Sequence, residues 1–317
     1  MFKVQSKRYQ LTIISSCYNS ETYLDGFFKN IVEMEGFPNY LLLIYLNSPT
    51  AIEINIAERY KNLYPDNIVY EVVEREFVSQ STNRGLKKAC TDYVVYADVD
   101  DRRFHDAYIR MIHTLDNNLD CDLTYGDYLY VSKPDVFTGK LHKTNEFDIE
   151  SFTRFPQIGP GHFFRKSILD KVGFWDEQLK SGADFDYQIR AAFNVKFKKT
   201  GGNPITYYTY NTNGVSLSSG DLSKIEAMVI SLRYGIYSEV PRWLYYIPEI
   251  YKYRISHVSI DDKWDPISNY VTDIESVLSL RMQNLKNERI KLSKENYYIS
   301  KFRSELFKTI NPSWNSK

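Results

Sequence analysis

Tyr40 to Leu46 reads YLLLIYL, without a strongly polar residue. A run this apolar has no side to turn to water, so it belongs to a strand covered on both faces, as inner strands of parallel sheets are. Its surroundings meet that demand. Leu11 to Ser15 (LTIIS), Ile68 to Val73 (IVYEVV) and Tyr93 to Ala97 (YVVYA) are further strand-like runs. Helical patterns lie between them. Ser20 stands where it can cap a helix with Glu21 in its first turn, and Leu24, Phe27, Phe28, Ile31 and Val32 recur at spacings of three and four. Thr50 and Glu53 have capping-box spacing ahead of Ile56, Ala57, Tyr60 and Leu63. Ser79 to Ala89 reads as a short helix. Strands and helices alternating at this pace predict an α/β chain with a doubly wound, mostly parallel sheet.

Beyond residue 104 the pattern loosens. A helix is expected over Tyr108 to Leu119, then a strand-like LTYGDYLYVS, then a polar loop from Lys133 to about Gly161. Ordinary connections rarely exceed ~12–15 residues, so that loop is expected to be functional or mobile. A helix over Asp184 to Phe193 and a strand over Ile205 to Tyr210 follow. Leu222, Ile225, Val229, Leu232 and Ile236 predict an amphipathic helix, and residues from about Val240 read as helical. The expected organisation is an α/β unit over residues 1–220 with an appended C-terminal helical region over 221–317.

Composition narrows the function. Forty basic and forty acidic side chains cancel, whereas a general nucleic-acid binder carries a basic excess, so no nucleic-acid partner is expected. Twenty-seven tyrosines and eighteen phenylalanines suit stacking on flat ligands as well as core packing. Cys17, Cys90 and Cys121 share no metal-ligand spacing, and no stretch reaches the ~18 apolar residues of a membrane span. A reduced, cytoplasmic chain is expected, with at most a peripheral place on the inner face of a membrane. Residues 281–308 hold eight basic side chains against three acids, with Tyr297, Tyr298, Ile299, Phe302, Leu306 and Phe307 among them. Arg242 to Tyr246 (RWLYY) adds interface-like aromatics. This region reads either as a membrane-surface element or as a face packed on the α/β unit or on a second copy, giving a homo-oligomer.

The most informative segment is Asp98-Val99-Asp100-Asp101, at the end of the fourth strand. Open parallel sheets bind ligands beyond the carboxyl ends of their strands. Three crowded carboxylates repel one another, and a hard divalent ion relieves that repulsion. A solvated acidic turn is the plainer reading of the same residues.

Further motifs run in a recognisable order. Thr12-Ile13-Ile14-Ser15-Ser16-Cys17-Tyr18-Asn19-Ser20-Glu21 opens the chain, followed by Asn83-Arg84-Gly85-Leu86 with Ala89, then Asp98-Val99-Asp100-Asp101. Gly161-His162-Phe163-Phe164-Arg165-Lys166 precedes Val172-Gly173-Phe174-Trp175-Asp176-Glu177. Gly182-Ala183-Asp184-Phe185-Asp186-Tyr187 with Arg190, and Asn213-Gly214-Val215-Ser216, complete the set. Over residues 10 to 220 the chain resembles family 2 glycosyltransferases, inverting enzymes of GT-A fold that use nucleotide sugars. That resemblance implies a nucleotide-sugar donor (a UDP-sugar favoured), a saccharide or lipid-linked glycan acceptor, and a divalent cofactor, Mn²⁺ or Mg²⁺. It places Ser16 and Tyr18 against base and ribose, Asn47 at the base edge and Asp98 at the ribose. It also implies Asp100 as the direct metal ligand with Asp98 beside it, and Asp184 as the catalytic base. Two positions depart from the family: Leu46-Asn47-Ser48 stands where an acid is usual, and Asn211-Thr212-Asn213 where many members have a metal-binding His.

The chemistry asks for these parts. A departing diphosphate gains charge that a divalent ion neutralises, and the acceptor hydroxyl needs a positioned base. Asp184, opening a helix after Ser181-Gly182, is stabilised as a carboxylate by the helix dipole; an N-cap role is the plainer alternative. Arg75, Arg84 and Arg102 are candidates for phosphate contact, and His162 for the acceptor or for a structural place. The expected function is synthesis of a bacterial-type surface polysaccharide. One rival, a nucleotidyltransferase, wants a Gly- and Lys/Arg-rich loop after the first strand, where this chain has Ser15-Ser16-Cys17-Tyr18-Asn19. The other is a non-catalytic nucleotide- or glycan-binding descendant, which nucleotide-sugar hydrolysis with Mn²⁺ would separate from an enzyme.

Overall fold

A computed structural model describes residues 9–210, 220–236 and 247–287. Its first half follows the alternating pattern: β1 (Leu11–Cys17), α1 (Glu21–Val32), β2 (Tyr40–Asn47), α2 (Ala51–Leu63), β3 (Ile68–Val73), α3 (Val78–Lys88) and β4 (Tyr93–Tyr96). Then come β5 (Arg102–Arg103), α4 (Ala107–Asp116), β6 (Cys121–Gly126), β7 (Tyr128–Val131), β8 (Lys140–His142) and α5 (Ile149–Phe152). The chain continues through β9 (Phe163–Arg165), α6 (Leu169–Val172), α7 (Ala183–Asn194), β10 (Lys196–Thr200), β11 (Thr206–Thr209) and α8 (Asp221–Tyr234).

Seven strands form the main sheet in the order β10-β6-β9-β4-β1-β2-β3. β1 pairs in parallel with β2 and β4, so the chain winds outward from β1 to β3 and returns to β4 on the other side. The carboxyl ends of β1 and β4 thus flank the point where strand order reverses, which opens a crevice there. β9 lies antiparallel between β4 and β6 and is the exception in a parallel sheet. Every residue of β2 is buried. Leu41, Leu43 and Tyr45 enter one core, shared with α7 and α8, while Leu42, Ile44 and Leu46 enter the other, under α1, α2 and α4. A smaller sheet, β5-β11-β7-β8, stands beside the main one.

Several expectations change in detail. The Thr50–Glu53 capping box forms, but the Ser20 hydroxyl donates to the Tyr18 carbonyl and caps nothing; the Ser20 amide instead donates to Glu53. The predicted helix to Leu119 stops at Asp116, leaving Leu119 81% exposed. LTYGDYLYVS breaks at Asp127 into strands of two different sheets, because the Asp127 carboxylate turns aside to accept from the Thr144 amide and pair with Lys199 at 2.7 Å. The loop from Lys133 is not structureless: it holds β8, paired with β7, and α5, capped by Asp148.

α8 is buried nearly all round from Ile225 to Tyr234, so it is a core helix and not an amphipathic surface one. The C-terminal region is also not purely helical. It contains a hairpin, β12 (His257–Ile260) with β13 (Lys263–Pro266), turned by Asp261 and Asp262 at φ 50° and 60°. Paired positive φ values at the two turn residues match the right-handed twist of a hairpin, and Asp tolerates them. Arg281, counted above among the basic surface residues, is buried: it donates to the Tyr234 carbonyl and to Thr153 Oγ1. The rest of the basic tail from 288, the RWLYY segment and the Asn211 to Ser216 motifs lie outside the described residues. No helix among the described residues is long and apolar enough to cross a membrane.

Candidate active site

Asp98, Asp100 and Asp101 occupy the turn leaving β4, at the carboxyl edge of the sheet. Asp101 is buried and held: its Oδ1 accepts from the Thr209 amide at 2.8 Å, and Oδ2 lies 3.8 Å from the Arg103 guanidinium. Thr209 Oγ1 donates to the Asp100 carbonyl at 2.6 Å. Two strand ends therefore clamp the turn and leave the Asp98 and Asp100 side chains half-buried in the cleft. Loss of hydration, then repulsion from Asp100, push the Asp98 carboxyl up to about 7, against Arg103 and a hydrogen bond from Tyr96. Two oxygen-donor side chains that repel each other on one turn fit a small divalent ion held by one or two carboxylates plus substrate phosphates.

Asp184 is the second residue of α7 and is exposed, its Oδ1 accepting from the Phe185 amide at 2.8 Å. Open to water yet surrounded by protein, its carboxyl is pushed up mainly by lost hydration, with the Glu226 charge adding to that. Its own charge acts in turn on Asp98, so the fold brings the two carboxylates within reach of each other's charge.

Asp186 points the other way. It is wholly buried, where Arg190 Nε pairs with Oδ2 at 2.8 Å and Arg233 and Tyr234 meet Oδ1. Burial alone would raise its carboxyl, and Arg190 and Arg233 outweigh that, holding it below the usual range. Arg233 also pairs with Asp176 at 2.9 Å and donates to the Ile255 and His257 carbonyls. This buried cluster ties α7 to α8 and to the hairpin.

Glu226, on α8, was not singled out by the sequence reading. Its buried carboxylate accepts from the amides of Lys180 (2.9 Å), Ser181 (2.7 Å) and Gly182 (2.9 Å), and from the Tyr253 hydroxyl (3.1 Å). It thereby fixes the turn that presents Asp184. The signal was present in the sequence: Glu226 and Arg233 are seven residues apart, on one face of a helix that is mostly apolar from Ile225 on.

His162 is 5% exposed, beside the Trp175 ring and bonded to the Asp184 backbone. Burial pushes its imidazole down to about 4, and its Nε2 has no hydrogen-bond partner among the described residues.

The candidate nucleotide residues gather at the ends of β1 and β2. Asn47 is fully buried; its Nδ2 donates to Ser16 Oγ at 3.0 Å and its Oδ1 accepts from the Glu76 amide at 2.9 Å. Ser81 joins Ser16 and Glu76 in the same network. Tyr18 is 44% exposed, with the Arg75 guanidinium 3.6 Å from its ring centre. Of the three candidate phosphate arginines, Arg75 is stacked here and Arg84 pairs with Glu76 at 2.8 Å. Arg102 is buried against Asp135 and the carbonyls of Val99 and Asp101, so it is a structural residue.

The family model described as Glycosyl transferase family 2 matches residues 12–173, just over half the chain. The chain is 31% identical over 199 residues to the minor teichoic acid biosynthesis protein GgaB of Bacillus subtilis (57% of this chain, 21% of that protein). It is 26% identical over 190 residues to GgaA of the same organism (55% of this chain, 41% of that protein). The match thus spans less than half of either relative. Among solved structures, S. aureus TarS 1-349 in complex with UDP-GlcNAc superposes with a TM-score of 0.61 at 16% identity, covering 96% of this chain and 91% of that one. The mannosyltransferase PcManGT of Pyrobaculum calidifontis, in complex with GDP-Man and Mn²⁺, gives 0.53 at 14% identity, covering 98% and 89%.

Proposed function

The chain belongs to glycosyl transferase family 2 and is a glycosyltransferase, and from that premise we propose an inverting transfer from a nucleoside-diphosphate sugar to a saccharide or lipid-linked glycan acceptor. The acceptor belongs to a cell-surface polysaccharide in this reading, in keeping with the teichoic acid biosynthesis proteins it resembles. The observation that supports the mechanism is that the Asp184 charge acts on Asp98, on the turn that also bears Asp100.

Asp184 removes the proton from the acceptor hydroxyl. The freed oxygen pair forms the new bond to the anomeric carbon, while the bond from that carbon to the diphosphate oxygen breaks and its electrons leave with the diphosphate. The raised carboxyl of Asp184 makes it a stronger base than a free aspartate. Asp100 and Asp98 would hold a divalent ion, which when bound supplies charge neutralisation for the leaving diphosphate. Ser16 and Tyr18 shape the nucleotide end; Asn47, expected at the base edge, is instead buried with its amide spent on Ser16 and the Glu76 amide, and so holds Ser16 in place. A UDP-sugar is the favoured donor, as UDP and UDP-GlcNAc are bound by TarS.

Asp184→Asn tests this. Gly182, not Asp184, is the N-cap of α7, and the amide keeps the oxygen that accepts from Phe185, so fold and donor affinity hold. Transfer should fall by at least ~10²-fold with the base removed. Asp186→Asn should lower stability through its ion cluster while leaving turnover per folded molecule near wild type. Wild-type turnover in Asp184→Asn would reject the mechanism.

A further inference from the structure

The small sheet carries a cluster of rings that the mechanism above leaves unused. Tyr208 on β11, Tyr128 and Tyr130 on β7 and His142 on β8 lie on adjacent strands and interlock. Tyr208 meets Tyr130 and Tyr128 at 5.4 and 5.9 Å, edge to face. Tyr128 stacks on His142 at 4.6 Å and 26°, and its hydroxyl lies 3.3 Å from that of Tyr130. Tyr128 is the buried hub, packed under Gly159, whose φ of 71° and contact with the ring leave no room for a side chain. The outer members are wet: Tyr130 is 37% exposed, His142 is exposed and Tyr208 is half-buried. Rings locked by their neighbours but bare on the outside lose little freedom when a ligand settles on them.

The position of this surface says what that ligand is. Its inner edge is fixed to the acid turn, because Thr209, next to Tyr208, makes the two hydrogen bonds to Asp100 and Asp101. Thr206, two residues before Tyr208, accepts from Arg103 at 2.8 Å. On the hub side, Gly159-Pro160-Gly161 leads directly to His162, which is bonded to the Asp184 backbone. From the acids outward the strands run β11, β7, β8, so the rings extend roughly 10 Å outward from β11 at about 4.8 Å per strand. Tyr208 feels the charges of Asp101, Asp98 and Asp100, so an acceptor reaching the acid turn has this surface beside it. The donor's nucleotide, by contrast, is met in this reading by Ser16 and Tyr18, at and just beyond β1.

We propose that Tyr130, His142 and Tyr208 form an acceptor subsite that stacks the pyranose rings of a saccharide chain beyond the unit receiving the new sugar. A pyranose has an apolar C–H face and a rim of hydroxyls. Phenol and imidazole rings answer both, with a flat apolar body and a hydrogen-bonding tip. The proposal deepens the acceptor half of the proposed function: it makes the substrate an oligosaccharide, not a single sugar.

The test uses the full chain with UDP and Mn²⁺ on an array of immobilised mono-, di- and tetrasaccharides of hexose and N-acetylhexosamine type. The wild type should retain at least one tetrasaccharide ~10-fold or more above the matching monosaccharide. The double variant Tyr130→Ala, His142→Ala should lose that retention by ~10-fold or more. Both side chains are at the surface, so its melting temperature and UDP affinity should match wild type; retention is scored against the single variants if the double one melts early. Retention unchanged by these substitutions, or no preference for longer chains in the wild type, would overturn the proposal. Asp184→Asn should keep the same length preference, so a failure of the base assignment and a failure of the subsite give different results.

Discussion

Acidification should destabilise this protein through His162, by an amount the structure sets. The imidazole is 5% exposed and burial pushes it from 6.5 down to about 4. Below pH 6.5 the unfolded chain takes up a proton there that the folded chain refuses until about pH 4. The neutral ring therefore contributes full stability above pH 6.5, and that contribution is lost as pH falls through the window. At about 1.36 kcal/mol per pH unit, the gap is worth about 3 kcal/mol at pH 4 and about 2 kcal/mol at pH 5. Asp98, pushed up to about 7, works in the opposite sense, since burial favours its protonated form as pH falls. Urea unfolding of wild type and His162→Gln at pH 7, 5 and 4 isolates the His162 contribution, because Asp98 and every other carboxylate are common to both. The wild type should lose about 3 kcal/mol more than the variant between pH 7 and pH 4. Parallel losses in the two proteins would show that His162 is hydrated or charged in the fold, and the reasoning would fail.

Two further outcomes follow from the cleft and its support. Asp100→Ala should abolish transfer and remove the Mn²⁺-dependent gain in UDP affinity, read by titration calorimetry with and without the metal; an unchanged gain would reject Asp100 as a ligand. Arg233→Met should cost about 3–5 kcal/mol, because it leaves Asp176 buried without its cation and Asp186 with Arg190 alone; a loss below about 1 kcal/mol in urea would mean that the cluster is hydrated.

Much of this was legible because local chemistry and global packing agree in the first half. The YLLLIYL run could only be an inner strand, and Thr50 with Glu53 closes its capping box as the spacing demands. The divergence of Asp184 and Asp186 also follows from about 100° of rotation per helical residue, and the structure exposes one and buries the other. What escaped depends on partners distant in sequence. β8 has the sequence KLH, with no periodicity of its own, and is a strand because β7 pairs with it. Arg102 looks like any basic residue near an acid turn until Asp135, thirty-three residues on, claims it. Glu226 sits in a helix whose apolar pattern suggested one wet face; only burial on all sides turns its charge into a clamp for the 180–182 turn.

The place of β9 gives the molecule a sequence in time. β4 and its acids are complete once about a hundred residues have been made, but the strand that covers the far edge of β4 is residues 163–165, and Arg233 anchors α7 later still. At roughly 5–20 residues per second, the 133 residues from Asp100 to Arg233 take a ribosome about 7–27 s. For the first 65 of those residues, up to Arg165 and about 3–13 s, the nascent chain presents β4 as an open edge, free to pair with a wrong strand or be shielded by a chaperone. The nucleotide end is in hand first and the anchored base helix last, so competence for transfer arrives only when most of the chain has left the ribosome.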